Sequence, residues 1–233
     1  MKVAIMQPYF MPYIGYFQLI NAVDEFIVYD NIEFTKKGWI NRNRILVNGK
    51  DDYISLPIKK DSDYLTIMDR YLGENWLVEK TKMINRLKES YRKSPFYTVV
   101  FPIIEESIQQ EENNLFIFVL NTIKKINEYI GIATPITISS VIPIDHSLKA
   151  EKKVLEICKS KKATAYINPI GGVELYSKEV FKNEGIQLQF LKTDSITYKQ
   201  FNNEFVPWLS IIDVLMFNSK EEIKKYLTLF KLI

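Results

Sequence analysis

The opening thirty residues constrain the fold more than any other stretch of this chain. Met1 to Met6 (MKVAIM) is a short apolar run closed by Gln7-Pro8, which predicts a buried strand. Pro8 and Pro12 disfavour helix in the residues before them, so an extended loop follows. From Ile14 the apolar spacing shifts to Ile14, Phe17, Ile20 and Val23, one stripe of a helix, and Phe26 to Tyr29 (FIVY) is a second strand. Strand, helix and strand in so short a span predict a parallel pair joined by a crossover helix.

Beyond it, Ile45-Leu46-Val47 and Tyr53 to Pro57 flank Asn48-Gly49, which readily supplies the positive φ angles of a type I′ turn and so predicts a hairpin. Residues 74–131 are expected to be helical. Leu115, Val119, Ile123, Ile126 and Ile130 share a face there, and Gly131 suits a C-cap. Alternation then returns: a strand at Ile136 to Val141, a helix capped by Ser147, a strand at Thr164 to Ile167, a helix from near Val173 to Gly185, a strand at Ile186 to Leu191, and a helical tail from Trp208. No repeat or linker is evident. The expectation is a single α/β domain over 1–233, with a mostly parallel, Rossmann-like (nucleotidyltransferase-like) sheet. Helices cover both faces, and the helical block of about 74–131 and a small hairpin are insertions.

Composition narrows the function classes. One Cys and one His exclude a disulfide framework and an all-His/Cys zinc site, so an intrinsic metal would be a hard ion on carboxylates, such as magnesium. Thirty-one basic against 28 acidic residues give a net charge of +3, too mild to indicate a nucleic-acid partner. The longest apolar run, Leu115 to Leu120, is far below the ~20 residues of a membrane helix, and Gln7, Pro8 and Pro12 interrupt the only stretch resembling a signal peptide. A soluble cytoplasmic protein is expected.

In an open parallel sheet, ligands bind outside the carboxyl ends of the strands. Two loops leave such ends: Gln7 to Tyr16 (QPYFMPYIGY), and Asn168 to Gly172 (NPIGG). Gly15 and the pair Gly171-Gly172 each precede a predicted helix, where a missing side chain lets a phosphate approach free N–H groups; turn geometry alone is the alternative. Between Thr35 and Arg44 (TKKGWINRNR), Arg42 and Arg44 offer fork-shaped donors beside Asn43, and Trp39 offers a flat face. A solvated basic hairpin edge is the plainer reading. His146, next to Asp145, is a candidate general base. The six lysines between Lys149 and Lys162 read as a solvated helix face, and Cys158 as core. Ser210 and Asp213 read as an N-cap with its box partner, leaving Tyr198 and Gln200 as polar residues that can join the ligand edge.

With these segments in view the chain resembles the WbqC-like family of bacterial proteins. The matching stretches are QPYFMPYIGYFQLI, VDEFIVYDNIEF, GWINRNRI, ATAYINPIGGVELY, GIQLQF, the Tyr198/Gln200 pair and FVPWLSIIDVLMF, spread over residues 3 to about 217. The resemblance implies surface-polysaccharide or O-antigen biosynthesis. The activity it implies is amide-forming transfer of an amino-acid or acyl group, such as glycyl, to a nucleotide-linked amino sugar. On that implication Gln7, Tyr9, Tyr13, Gly15 and Tyr16 line the donor or nucleotide pocket. Arg42 and Arg44 hold phosphates with Asn43 between them, and Trp39 stacks on a ring. Asn168, Gly171 and Gly172 hold the second substrate, and His146, Asp30 and Tyr198 are candidates for the base.

The first loop also resembles, more weakly, that of nucleotidyltransferase-like enzymes such as pantothenate synthetase, which carry a His-x-Gly-His motif. Tyr13 and Tyr16 stand here where both histidines would be, and a tyrosine supplies no cationic charge to a phosphate. That resemblance implies ATP and magnesium, with Lys36, Arg42 or Arg44 providing the charge. A third reading is a non-catalytic nucleotide-sugar or carbohydrate binder with Tyr9, Tyr13, Tyr16 and Trp39 as a stacking platform.

Overall fold

A computed structural model describes residues 1–233. The expected opening unit is present as β1 (Lys2–Met6), α1 (Ile14–Asn21) and β2 (Glu25–Val28), with β1 and β2 parallel from Val3↔Glu25 to Met6↔Val28. With β5 (Ile136–Ile138), β6 (Ala165–Pro169), β7 (Gln187–Thr193) and β8 (Phe230–Leu232), they form a six-stranded sheet in the order β5–β2–β1–β6–β7–β8. All pairings are parallel except β7–β8.

The strands read as apolar runs because both faces are covered. Successive side chains alternate sides. Val3, Ile5, Ile27, Tyr166, Leu188 and Phe190 pack under α5 (Ala150–Ser160) and α6 (Lys178–Asn183), against Val154, Ile157, Cys158 and Phe181. Ala4, Phe26, Val28, Ile167 and Leu191 face the opposite way, into a core shared with α1 and the helical block. That block is α2 (Trp76–Tyr91), α3 (Tyr97–Gln109) and α4 (Leu115–Ile130). The expected α4 stripe is buried, Gly131 caps it at φ 82°, and Asn114 accepts from Ile117 N–H at the other end. The hairpin is β3 (Arg42–Val47) and β4 (Lys50–Ser55), with Asn48 and Gly49 both at positive φ. The sheet is a doubly wound α/β arrangement compatible with a Rossmann-like fold.

Four expectations are corrected. Ser147 does not cap α5: its N–H and hydroxyl both bond Asp145 Oδ1, and the helix begins three residues later, at Ala150. Residues 173–185 are not one helix, because Ile170–Leu175 is a 3₁₀ turn and Ser177 caps a separate α6. The predicted strand to Val141 stops at Ile138, where a 3₁₀ turn over Ser139–Val141 begins. The tail is not wholly helical, since α7 (Ile211–Phe217) and α8 (Lys220–Tyr226) lead into β8, which closes the β7 edge.

Gly15 sits where α1 meets the end of β7, and a Cβ there would lie 2.8 Å from Thr193 Oγ1, which already bonds Gln18 Oε1. Close approach between helix and strand therefore accounts for this glycine. Gly15→Ala is expected to cost about 1–3 kcal/mol in urea unfolding. In the Gly15→Ala/Thr193→Ala double variant, the combined loss should be smaller than the sum of the two single losses.

Candidate functional site at the carboxyl edge of the sheet

The chain leaves β1 toward β2 on one side and reaches β6 on the other, so the strand order reverses between β1 and β6. The two strands pair only at Lys2↔Ala165 and Val3↔Tyr166, although β1 continues to Met6 and β6 to Pro169. Beyond that pair they part, while β1–β2 and β6–β7 stay laddered to their ends. The loops carrying Gln7 and Gly171 thus leave the same edge at the switch point, the place where such sheets bind ligands.

On the α5 side, the residues after β2 meet the turn after β5. Asp30, 1% exposed, accepts from Ser139 Oγ at 2.8 Å and from Ser140 N–H at 3.0 Å. Asn31 Nδ2 donates to His146 Nδ1 at 2.9 Å, and His146 Nε2 donates to the Ile142 carbonyl at 3.0 Å, so both ring nitrogens have partners. Beside them stands Lys153, which the lysine-rich sequence suggested was solvated. It is only 3% exposed, in the first turn of α5, with Nζ 3.3 Å from the Asn31 carbonyl and 5.1 Å from the centre of the Tyr29 ring. Burial pushes its pKa below that of an ordinary lysine, against a smaller opposing pull from the Asp30 charge. The signal was in the sequence: Lys153 precedes Ile157 by four residues and so shares its buried face.

Across the switch point, Tyr166 donates its hydroxyl to Asn168 Oδ1 at 3.1 Å. A Cβ on Gly172 would fall 1.9 Å from Asn168 Nδ2, so that glycine makes room for the amide. A Cβ on Gly171 would meet nothing within 4 Å, leaving its backbone open. In the first loop Tyr16 is buried and donates to the Gln7 carbonyl at 3.0 Å, and Tyr9 packs against it at 5.7 Å between ring centres. Burial raises the pKa of both phenols.

Tyr13 turns instead to a cleft of about 260 Å³ at the end of β7, formed with Trp208, Tyr198, Phe205 and residues 194–197. The Tyr13 and Trp208 rings lie 5.2 Å apart, and burial lifts the Tyr13 hydroxyl to about 12. Behind the cleft, Tyr198 and Gln200 donate to Asp213 Oδ2 at 2.7 and 2.6 Å, and Tyr91 donates to Oδ1 at 3.0 Å. Asp213 is therefore no capping-box partner. Ser210 caps α7 alone, its hydroxyl accepting from Ile212 N–H and donating to the Met11 carbonyl.

The hairpin motif divides between its faces. Asn43, 4% exposed, donates to the Phe10 carbonyl at 3.1 Å and so anchors the first loop. Arg42 binds the Gly38 and Lys37 carbonyls and lies 4.7 Å from the Tyr53 ring centre. Arg44 binds Asp51 and the Trp208 carbonyl, and Trp39 stacks on Tyr53 at 6.3 Å. Arg42 thus holds the turn at 37–38, and Arg44 holds Asp51 and the 208–210 segment.

The family profile described as the WbqC-like protein family matches residues 7–225, from the loop after β1 into α8. The chain belongs to the WbqC-like family. That membership suggests a role in polysaccharide biosynthesis. Among similar proteins is the uncharacterized protein Rv1507c of Mycobacterium tuberculosis, 29% identical over 232 residues that cover 97% of each chain. No solved structure matches.

In this WbqC-like protein the buried Asp213, with its three donors, is placed to respond to pH. Desolvation raises Asp213 to about 6, against the lowering effect of its three donors. Since folding raises this pKa, the folded state binds more protons between about pH 4 and pH 6. Stability from this group is then greatest below about pH 4 and is lost as the pH rises through about 6, by roughly 2–3 kcal/mol. Urea unfolding at pH steps from 4 to 7 should show that fall, and Asp213→Asn should flatten it.

Proposed function

We propose that this WbqC-like protein is an amide-forming transferase that adds an amino-acid or acyl group to the amine of a nucleotide-linked sugar at the switch point. The observation that carries the reading is Lys153, a buried amine with a depressed pKa at the ligand edge of a parallel sheet. In the reaction the acceptor nitrogen bonds to the acyl carbon, the bond from that carbon to its leaving group breaks, and the nitrogen gives up a proton. Lys153, whose burial eases the loss of its own proton, is suited to act as the base that takes that proton. Asp30 and His146 already have hydrogen-bond partners and position the Asn31 carbonyl that holds Lys153. Tyr198 is bound to Asp213.

On this reading Gln7, Asn168 and the open backbone of Gly171 surround the acceptor, and the Tyr13/Trp208 cleft receives the nucleotide ring. From β2 to β7 is three strand spacings, roughly 14 Å, a distance that a base, two phosphates and a sugar ring can bridge in series. No three His, Cys, Asp or Glu side chains converge in the structure. If ATP activates the acyl donor, its magnesium would be held chiefly by the phosphates that bring it.

The test mixes the protein with a nucleotide-linked amino sugar, a panel of amino acids, ATP and magnesium, and follows mass by chromatography. A product heavier by one aminoacyl unit is expected, and leaving out ATP separates ligation from transfer off a preactivated donor. Lys153→Met should lower turnover by about 10²–10⁴-fold. The wild-type rate should fall as the pH drops and Lys153 gains a proton. Lys153→Met with undiminished turnover would sink the assignment.

A further inference from the structure

Arg70 is 4% exposed, and its Nε and Nη2 are buried without a hydrogen-bond partner. Arg44 Nε is also unpartnered, but the rest of that guanidinium holds Asp51 and the Trp208 carbonyl. Arg70 has no ion pair and no side-chain hydrogen bond; its one polar contact is with the face of Phe34, whose ring centre lies 5.2 Å from Cζ. The ring offers no lone pair, so the edge formed by Nε and Nη2 has no N, O or S acceptor. A buried, unpaired charge is strongly unfavourable, and buried donors almost always have an acceptor.

The residue is held firmly at the ligand edge. Its N–H bonds the Ile67 carbonyl at 3.2 Å, and its own carbonyl accepts from Leu115 at the start of α4 at 2.8 Å. Just before it, Met68 N–H bonds the Asp30 carbonyl at 3.1 Å and Ile67 N–H bonds that of Ile32 at 2.9 Å. Arg70 therefore stands beside the segment leaving β2. The carboxylate that senses its charge, Asp63, is exposed and paired with Lys36 at 2.6 Å.

We propose that Arg70 is an anion-binding residue whose Nε and Nη2 take two oxygens of a phosphate or carboxylate on the ligand. The two donors form the side-on pair that matches such groups bidentately, and a lysine cannot reproduce it. The inference rests on the ligand edge proposed above, but its test reads anion binding without turnover, so the two can fail separately.

Thermal unfolding with inorganic phosphate, pyrophosphate or acetate at matched ionic strength tests the site. Phosphate or pyrophosphate raising the wild-type Tm supports a phosphate ligand, and acetate raising it supports a carboxylate. Without anion, Arg70→Met should melt at or above the wild-type temperature, since an unpaired buried charge is gone, and anion affinity should drop at least tenfold. If that variant fails to fold, Arg70→Lys keeps the charge without the paired donors and should weaken binding by a similar factor. No response of the wild type to any of the three anions would overturn the assignment. So would an equal response in a folded variant, which is what a purely structural stacking role predicts.

Discussion

The carboxylate of Asp213 is the interaction on which the ligand edge depends. It receives hydrogen bonds from α2 through Tyr91 and from the segment after β7 through Tyr198 and Gln200, while Tyr91 also accepts from Leu46 N–H of the hairpin. Three pieces of chain, α2, the segment after β7 and α7, meet at one fully buried group, and the hairpin joins them through Tyr91. In so low a dielectric each bond is strengthened, and each missing partner would be costly. Just before Asp213, Ser210 and Ile211 bond the Met11 and Pro12 carbonyls, and Ser210 N–H bonds that of Arg44. The loop after β1 is thus held by residues two hundred positions away.

Much of this was legible in the sequence, where local chemistry decides the outcome. The start of α1 at Ile14, the Asn48-Gly49 turn and the Gly131 cap follow from periodicity and positive φ, and each is as expected. The misreadings fall where two local options compete. Ser147 can cap a helix or fold back on Asp145, and the tight Asp145 turn wins. β8 escapes notice because three residues give no period, and only pairing with β7 defines it.

The candidate site was only partly legible, for a different reason. The sequence pointed to the carboxyl edge of the sheet, because two polar, glycine-bearing loops follow apolar strands. It was misleading about individual charges, because burial of a long side chain is decided by what packs over it. Lys153 hides among lysines that are largely solvated, and nothing near Arg70 in the sequence marks it as enclosed. Conversely, Arg42 and Arg44 looked available and are engaged with the turn and the 208–210 segment. Asn43 looked like a ligand contact and holds the Phe10 carbonyl. Arg70, by contrast, is enclosed and has no carboxylate partner, which suits an acidic ligand stripped of its water.

Trp208 has a consequence of another kind. It holds φ 61°, a left-handed conformation unfavourable for a bulky residue by about 1–2 kcal/mol, and that backbone turns its indole out beside Tyr13 with 59% of the residue exposed. Of the other two tryptophans, Trp76 is buried and Trp39 is stacked on Tyr53. The cleft therefore carries its own optical reporter. A ring sliding against Trp208 would displace water from the most exposed indole of the molecule and shift its emission to shorter wavelength, so that occupancy of the cleft can be followed by fluorescence without attaching a label.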